Sequence, residues 1–427
     1  MSILRAVKGM NDLFEEELST WRMLEQKTRE HFALYGFGEV RTPILEELDL
    51  FVRGVGEGTD IVEKEMYVLE DRDGKRLCLR PENTAAVVRA FVENRKFSPD
   101  TELKAYYIGP MFRRERPQKG RLRQFHQIGA EVFGIADPVV DIEVMVMLHD
   151  LCALLGLKNL KLAINTLGQP EERISYASAL RDYFSQFQDQ LCEDCKRRLI
   201  KNALRILDCK QPHCATLREK APAIADFLRQ DSLAHFEKVK AGLSEASVQF
   251  EVMPRLVRGL DYYTRTVFEV LAETGLGAQN AVAAGGRYDG LVESLGGPST
   301  PAFGFSAGIE RIALLLQEQQ THGPEKSGPD ITLVFADQIG ERTARKLVTD
   351  LRREKIAADV DYRTRSVKAQ MRRADRICAK MVMVIGEREA SQMRADMKLM
   401  ATGEAKSANL VANDIISMLA TFGVRTP

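Results

Sequence analysis

A dense group of basic side chains lies between Arg113 and Arg123. Six of these eleven residues are basic and one, Glu115, is acidic; the basic ones are Arg113, Arg114, Arg116, Lys119, Arg121 and Arg123. Guanidinium groups bind phosphate and carboxylate oxygens through paired hydrogen bonds. The segment therefore suits a polyphosphate or an RNA end, although an exposed charged loop without a ligand would have the same composition.

Two further arginines lie in segments that could bind the same ligand. Arg258 is part of RGLDYYTRTVFEV, and Arg311 is part of GIERIAL near the start of a predicted helix. Each of them, taken alone, also suits an ordinary ion pair. The chain has no GxxxxGK(S/T) loop and no GxGxxG turn after a strand, so side-chain arginines would have to hold any nucleotide.

Two glutamates lie among apolar or small neighbours. Glu82 is part of LRPENTAA and Glu131 is part of IGAEVFG. An unpaired buried carboxylate costs several kcal/mol, so each needs a cationic or hydrogen-bonding partner, and a bound ligand is one such partner. Tyr262 and Tyr263 suit either a binding site or a core. His126 is alone among polar strand residues, which favours a structural role.

Four of the seven cysteines fall within 23 residues, in the pattern C-x2-C-x13-C-x3-H-C. They are Cys192, Cys195, Cys209 and Cys214, with His213 beside the last. Such spacing can close a tetrahedral zinc site. The wide gap between the last two cysteines and the helix-forming surroundings favour reduced, packed cysteines instead. Any metal there would be structural.

Patterns of apolar residues predict the elements that position these side chains. Helical spacing runs from Leu18 to Tyr35, and two hairpins follow, one from Glu65 to Leu79 around Asp73-Gly74 and one around the basic loop. Consecutive hairpins indicate an antiparallel sheet. Polar, helix-forming sequence from about 171 to 247 then predicts a helical insertion. We therefore expect a first domain over residues 1–320.

A polar segment rich in glycine and proline, residues 321–329, is the predicted linker. Beyond it, residues 330–427 alternate as β-α-β-α-β, which predicts a small α/β domain. Residues 361–380 include seven basic and two acidic side chains. This charge favours contact with a nucleic-acid backbone, although a solvated basic helix face would look the same.

Length and composition exclude several classes of protein. The chain has 427 residues, enough for two to four domains at roughly 100 to 200 residues each. Basic and acidic residues balance at 61 each, which argues against a disordered or strongly basic protein. No apolar stretch has the length of a membrane span, and seven scattered cysteines do not describe a disulfide framework. We expect a cytoplasmic protein without a membrane segment.

Together, these segments resemble the bacterial type of histidyl-tRNA synthetase, a class II aminoacyl-tRNA synthetase. The resemblance covers nearly the whole chain: KGMNDLFEEE, GFGEVRTPILEE as motif 1, LRPENTAA, FRRERPQKGRLRQFHQIGAEVFG as motif 2, RGLDYYTRTVFEV and AAGGRYDGL as the two histidine signatures, and FGFSAGIER as motif 3. The joint order of these motifs is far more specific than any one of them.

The resemblance implies an α+β protein with a six-stranded antiparallel catalytic core, a helical insertion and a C-terminal anticodon-binding α/β domain. It implies a homodimer with motif 1 at the interface. The implied reaction joins histidine to ATP, with Mg²⁺, to give histidyl-adenylate and pyrophosphate. The histidyl group then passes to the 3′ end of tRNA(His).

The resemblance also implies roles for individual residues. Arg113 would bind the α-phosphate, Arg311 the γ-phosphate, and Glu115 and Arg121 other parts of the nucleotide. Arg258 would bridge the histidine carboxylate and the α-phosphate, which makes Arg258 and Arg113 the catalytic candidates.

The remaining roles concern histidine and tRNA. Glu82, Thr84 and Gln127 would hold the α-amino group. The imidazole would be read by Glu131 and Tyr263, with Tyr262 beside them. The acceptor end of the tRNA would meet the loop at Arg116 and Gln118. Asn83 stands where the family commonly has glycine; if that position needs a positive φ, asparagine is the next most tolerant residue.

Two other hypotheses belong to different classes. The regulatory subunit of ATP phosphoribosyltransferase resembles this fold but typically lacks the RGLDYY signature and the C-terminal domain, both of which are present here. An RNA-binding protein without catalysis would bind tRNA but would not use ATP. The three arginines at positions 113, 258 and 311 argue against that reading.

Overall fold

The structure is a computed structural model that describes residues 3–56, 58–98, 102–209, 211–277, 280–319, 328–363 and 365–424. The chain divides into two compact units, Met1–Gly323 and Pro324–Pro427. The division falls inside the predicted linker, residues 321–329, most of which lies outside the described residues.

The first unit combines strands and helices. Its strands are β1 (Gly38–Glu39), β2 (Leu45–Glu47), β3 (Tyr67–Glu70), β4 (Arg76–Leu79), β5 (Leu103–Phe112), β6 (Gln124–Phe133), β7 (Leu160–Thr166), β8 (Phe250–Val252), β9 (Thr264–Ala272), β10 (Ala281–Arg287) and β11 (Ala302–Gly308). Its helices are α1 (Glu15–Leu34), α2 (Leu48–Val55), α3 (Thr84–Glu93), α4 (Val139–Leu154), α5 (Pro170–Ser185), α6 (Glu193–Lys201), α7 (Pro212–Glu219), α8 (Gln230–Glu245), α9 (Leu291–Ser294) and α10 (Ile309–Glu318).

The main sheet has eight strands in the order β1-β5-β6-β11-β10-β9-β7-β8. Six neighbouring strands, from β5 to β7, pair antiparallel, and the short strands β1 and β8 add parallel pairs at the two edges. The predicted α+β class with an antiparallel core is therefore confirmed. Both predicted hairpins are also present, as β3–β4 and β5–β6.

Alternation along the strands separates the two faces of this sheet. On β6, Ile128, Ala130 and Val132 belong to the large core under helices α1, α4, α8 and α10. Gln127 and Glu131 alternate with them and therefore point to the opposite face. Glu131 pairs in register with Gly304 of β11, so these two residues share that face.

The predicted insertion is helical but does not pack as one body. Helices α5 to α7 surround a small core of their own that includes Tyr176, Leu180 and Phe184. Helix α8 instead places Phe236 and Val239 in the core of the main sheet. Apolar spacing predicts that a helix is amphipathic, but it does not identify the partner that covers the apolar face.

The second unit has a five-stranded sheet in the order β13-β12-β14-β15-β16. The elements are β12 (Ile331–Phe335), α11 (Gln338–Arg353), β13 (Ala358–Val360), α12 (Val367–Arg376), β14 (Met381–Ile385), α13 (Glu387–Gln392), β15 (Arg394–Leu399), β16 (Ala405–Asn409) and α14 (Ala412–Thr421). The β-α-β-α-β prediction is confirmed for the three parallel strands. The antiparallel hairpin β15–β16 was not predicted.

Strands β2, β4 and β3 form a separate three-stranded sheet. None of the helices in the described ranges is long and apolar enough to cross a membrane.

Candidate active site

A cavity of about 900 Å³ lies in the first unit, bounded by the main sheet and by residues of α6 and the turns on either side of it. Ten of the thirteen predicted site residues line it: Glu82, Thr84, Arg113, Glu115, Arg121, Gln127, Arg258, Tyr262, Tyr263 and Arg311. The fold thus brings together side chains that are more than 200 positions apart in the sequence.

Three arginines reach the cavity from three different elements. Arg113 follows β5, and its Nε donates to the carbonyl oxygen of Pro81 at 2.9 Å. Arg258 precedes β9, forms an ion pair with Glu269 and lies 5.7 Å from the centre of the Tyr263 ring. Side-chain contacts therefore help to fix the positions of both guanidinium groups.

Arg311 occupies the first turn of α10. Its Nε donates to the carbonyl oxygen of Gly120 at 3.0 Å, and its Nη1 donates to that of Ala281. Burial, followed by the positive charges of Arg121 and Arg113, lowers the pKa of Arg311 to about 10. The group stays charged near neutral pH, and an anion in the cavity would offset its cost.

A buried acidic group marks another part of the cavity. Glu82 accepts hydrogen bonds from the backbone N–H groups of Thr84 and Ala85, at 2.7 and 3.0 Å, at the start of α3. Burial raises the pKa of Glu82 in spite of these bonds. A cationic group bound beside Glu82 would restore its ionised form.

Asn83 stands where glycine is common in the family, but the backbone there does not have the positive φ that would explain a glycine. Its φ is −118°, so the position does not require the left-handed backbone that favours glycine. The Asn83 side chain is buried, and its Oδ1 accepts from Thr42 Oγ1 at 2.7 Å and from Arg80 Nη1 at 3.0 Å. Asparagine therefore contributes hydrogen bonds rather than backbone tolerance.

Glu131 lies behind the cavity wall and is fully buried. Thr84 Oγ1 donates to its carboxylate at 2.7 Å, Tyr107 OH at 3.4 Å, and Tyr288 OH also donates. Burial raises the pKa of Glu131 to about 8, against these hydroxyl donors. Thr84 and Tyr288 themselves line the cavity, so the carboxylate is one side chain away from a ligand.

Glycine is required opposite this carboxylate. A Cβ atom on Gly304 would collide with the Glu131 carboxylate and with the backbone oxygen of Ala130. The glycine therefore leaves the space in which the glutamate side chain lies flat on the sheet.

Two hydroxyl donors to Glu131 were missed by sequence reasoning. Tyr288 lies within AAGGRYDGL, one of the two histidine signatures, in which the sequence indicated no role for an individual residue. Tyr107 lies in β5 next to the core residue Tyr106. Because side chains alternate along a strand, this spacing could have indicated that Tyr107 points to the opposite face of the sheet. Neither pattern indicates which residue on the neighbouring strand would meet the hydroxyl.

Polar atoms without protein partners point to a ligand. Among the described residues that line the cavity, four side-chain atoms are buried and have no hydrogen-bond partner: Gln127 Oε1, Arg218 Nε, Arg255 Nε and Arg258 Nε. Buried polar groups are almost always paired in native proteins, so these atoms are suited to partners on a bound molecule.

The basic loop between β5 and β6 divides into two parts. Glu115 and Arg121 line the cavity and form an ion pair at 2.8 Å. Arg116 and Gln118 are exposed and do not line it. His126, as expected, has a structural setting: its N–H and Nδ1 contact the Glu310 carboxylate, and its ring packs on Trp21.

The four clustered cysteines come together in space. Their Sγ atoms all lie within 4.8 Å of one another, and His213 is exposed outside this group. The sequence favours packed, reduced cysteines, and all four are free of disulfides in the structure.

Comparisons with known proteins identify the family. The family model described as "Histidyl-tRNA synthetase" matches residues 9–312, and the model described as "Anticodon binding domain" matches residues 331–419. The chain belongs to the histidyl-tRNA synthetase family. A curated relative named histidine–tRNA ligase, from Pelotomaculum thermopropionicum, is 48% identical over 403 residues, which cover 94% of this chain and 95% of the relative.

Further comparisons agree with this assignment. The histidine–tRNA ligase of Geobacter sulfurreducens is 46% identical over 418 residues, which cover 98% of this chain and all of that protein. The crystal structure of apo S. aureus histidyl-tRNA synthetase is 36% identical with a TM-score of 0.81, covering 98% of this chain and 100% of that one. A Bacillus halodurans chain described as an ATP phosphoribosyltransferase regulatory subunit/histidyl-tRNA synthetase is 20% identical, covers 90% of this chain and 98% of its own, and shares the fold with a TM-score of 0.63.

The buried Glu131 predicts an unusual dependence of stability on pH. Its folded-state pKa of about 8 lies above the ordinary 4.5, so the folded protein keeps a proton that the unfolded chain has released. The free energy of unfolding should therefore fall as pH rises through this interval. In Glu131→Gln this fall should be smaller.

Urea denaturation of both proteins at several pH values across the interval measures the effect. Glu16→Gln, at an exposed position on α1, is the matched control and should follow the parent protein. Parallel pH profiles for the parent and Glu131→Gln would contradict the raised pKa.

Proposed function

We propose that the cavity activates histidine with ATP and then transfers the histidyl group to the 3′ end of tRNA(His), as a histidine–tRNA ligase of translation. The observation that carries this proposal is the convergence of Arg113, Arg258 and Arg311 on one cavity that also contains Glu82. Family membership supplies the substrate class. Because tRNA charging serves translation, we expect the protein in the cytoplasm.

The first step brings two anions together. An oxygen of the histidine carboxylate attacks the α-phosphorus of ATP in line, the bond to the β-phosphate oxygen breaks, and pyrophosphate leaves. Charge neutralisation and alignment are the needs of this reaction, and a general base is not required. We assign Arg258 to the carboxylate and α-phosphate, Arg113 to the α-phosphate and Arg311 to the γ-phosphate, with Glu115 and Arg121 on the rest of the nucleotide.

The surroundings of the arginines support these assignments. Burial and then the charges of Arg121 and Arg113 lower the pKa of Arg311, and a bound polyphosphate would relieve the repulsion from these two arginines. Arg258 already pairs with Glu269, which leaves its unpartnered Nε for a substrate oxygen.

Histidine recognition is assigned to the buried polar side chains. The ammonium group would lie beside Glu82, with Thr84 and Gln127 as further partners. An imidazole N–H would donate to Glu131 in place of one of the hydroxyl donors, and Tyr263 would meet the other ring nitrogen, with Tyr262 beside it. A site that pairs both ring nitrogens rejects apolar isosteres, which would leave buried polar atoms without partners.

The donors along the cavity fit Mg²⁺. Besides Glu82, four glutamates that line it offer carboxylate oxygens: Glu65, Glu115, Glu269 and Glu310. In nucleotide sites Mg²⁺ takes one or two carboxylates and completes its octahedron with phosphate oxygens and water. We propose that one or two of these glutamates hold the ion, which would neutralise phosphate charge during adenylation.

The second step needs tRNA. We propose that residues 1–320 form the catalytic domain, with an insertion at about 171–247, and that residues 330–427 bind the anticodon. The exposed Arg116 and Gln118 suit the acceptor end. On α12, Lys368, Arg372 and Arg376 are all exposed and recur every four residues, which places them in one basic stripe. Such a stripe suits a phosphate backbone.

A homodimer is proposed from the small sheet that contains motif 1. Residues paired across its strands share one face, and Leu45, Leu69, Leu77 and Leu79 lie together on that face. Leu45 is 44% exposed and Leu69 is 48% exposed, so this face presents apolar surface to solvent. A second copy of the chain would cover these leucines.

Pyrophosphate exchange tests the proposed ligase directly. The protein should exchange labelled pyrophosphate into ATP with histidine and with no other standard amino acid. In Arg258→Ala the exchange rate should fall by about 100-fold or more, because a preorganised cation at the reacting centre is lost. Arg181→Ala, on the exposed side of α5, should leave the rate unchanged. Absence of exchange by the parent protein would reject the ligase.

The basic stripe of α12 should affect only the tRNA step. We expect the triple substitution Lys368→Glu, Arg372→Glu and Arg376→Glu to raise the KM for tRNA by about tenfold or more. Pyrophosphate exchange in the absence of tRNA should stay at the level of the parent protein. The control is the triple Arg342→Glu, Lys346→Glu and Arg353→Glu on α11, with the same change of charge. An equal loss in both triples would remove the specific role of the stripe.

The leucine face should control oligomeric state. Sedimentation equilibrium should give a dimer for the parent protein and a monomer for the double variant Leu45→Asp and Leu69→Asp, because a buried charge in an apolar interface is costly. Leu34→Asp is the control, since Leu34 is 82% exposed at the end of α1. A monomeric parent protein, or a double variant that remains dimeric, would refute the proposed interface.

A further inference from the structure

Four sulfur atoms in the insertion have the arrangement of a metal site. Cys192 precedes α6 and Cys195 lies in its first turn, Cys209 follows the helical turn Ala203–Asp208, and Cys214 lies in the first turn of α7. Their Sγ atoms are all within 4.8 Å of one another. Segments separated by up to 22 positions therefore direct four thiols to one point.

The distance between two of these sulfurs matches zinc geometry. In a tetrahedral zinc–tetrathiolate centre each Zn–S bond is about 2.3 Å, so neighbouring sulfurs are about 3.8 Å apart. The Sγ atoms of Cys192 and Cys209 are 3.8 Å apart. A disulfide would need about 2.0 Å and would join the thiols in pairs.

Backbone N–H groups point at the sulfurs. Cys195 N–H lies 3.4 Å from the Sγ of Cys192, Gln211 N–H lies 3.4 Å from the Sγ of Cys209, and Cys192 N–H lies 3.5 Å from the Sγ of Cys214. Hydrogen bonds to sulfur favour the thiolate, which is the form that binds metals. Three of the four sulfurs therefore accept a backbone hydrogen bond, and metal ligands in proteins usually have a hydrogen-bonding partner of this kind.

The small size of this segment also suits a metal. Helices α6 and α7 have only nine and eight residues, and the core that they share with α5 is small. Small domains with limited cores often depend on a metal or disulfides.

The segment that carries the four cysteines, from Cys192 to Cys214 (the cysteine segment), forms part of the wall of the active-site cavity. Cys192 and Cys209 line the cavity. Arg205 and Arg198 form ion pairs with Asp60 at 2.8 and 3.2 Å. Asn202 donates to the Asp261 carboxylate at 3.1 Å, directly before Tyr262. A bond that fixes the segment would therefore also fix one wall of the cavity.

We propose that Cys192, Cys195, Cys209 and Cys214 bind one structural Zn²⁺ ion as four thiolates, and that this ion holds the insertion wall of the cavity in place. The proposal is separate from the ligase activity, because metal content can be measured whether or not the protein turns over substrate. The four thiolates complete the tetrahedral coordination of the ion and leave no open position, so the ion has no part in the reaction.

Elemental analysis of the full-length protein tests this assignment. Protein purified with a reductant and without chelator should contain one zinc per chain. Cys195→Ser and Cys209→Ser should each lose most of the zinc, while Cys152→Ser, at a buried cysteine of the main core, and Cys378→Ser should retain it. Replacement of zinc by Co²⁺ should give the charge-transfer absorption of a cobalt–thiolate centre.

A second measurement avoids variants that fail to fold. A mercurial reagent titrated into the parent protein should release one zinc per chain to a metal-sensitive dye as the four thiols react. Zinc near zero with these thiols reactive, stoichiometric iron in place of zinc, or disulfides among the four cysteines would each overturn the proposal. Equal zinc in Cys195→Ser and in the parent protein would overturn it as well.

Discussion

Three positive charges, those of Arg113, Arg121 and Arg311, repel each other inside one cavity, and the rest of the first unit has to hold them there. Burial and the nearby Arg121 and Arg113 lower the pKa of Arg311 to about 10, so the folded protein accepts an electrostatic cost in the absence of an anion. Arg113 directly follows β5, Arg121 lies in the basic loop and Arg311 occupies the first turn of α10, so the fold brings these charges to one cavity. Two anionic substrates would convert this cost into binding and alignment, which is the main requirement of adenylation.

The part of the cavity wall around Glu131 has the opposite problem, because here the buried ionisable group is an acid. Alternation along β6 places Glu131 on the cavity face, and the register with β11 places Gly304 beside it. Hydroxyl groups of Thr84, Tyr107 and Tyr288 satisfy the carboxylate, yet burial still raises its pKa to about 8. Burial therefore favours the protonated form of Glu131 near neutral pH.

Sequence reasoning succeeded where the signal was local or carried by a motif. The hairpin at Asp73-Gly74, the parallel strands of the second unit and the family itself were predicted correctly. It failed where tertiary packing decides the outcome. The partner of α8, the hairpin β15–β16 and the contact of Tyr288 with Glu131 depend on residues distant in sequence. The side-chain roles assigned to Arg258 and its neighbours are still predictions, since geometry alone does not identify the bound atom.

The cavity is formed by segments from distant parts of the chain, and none of these short segments would be stable by itself. Residues from α3, the basic loop, the cysteine segment, the turn before β9 and α10 all line it. Most of these segments are continuous with the main sheet, whose core is large, but the cysteine segment belongs to helices α5 to α7, whose shared core is small. Four thiols converge in this wall, where a metal ion would link the segments before α6, after the turn Ala203–Asp208 and at the start of α7, and would help to keep the wall in register with the arginines and tyrosines.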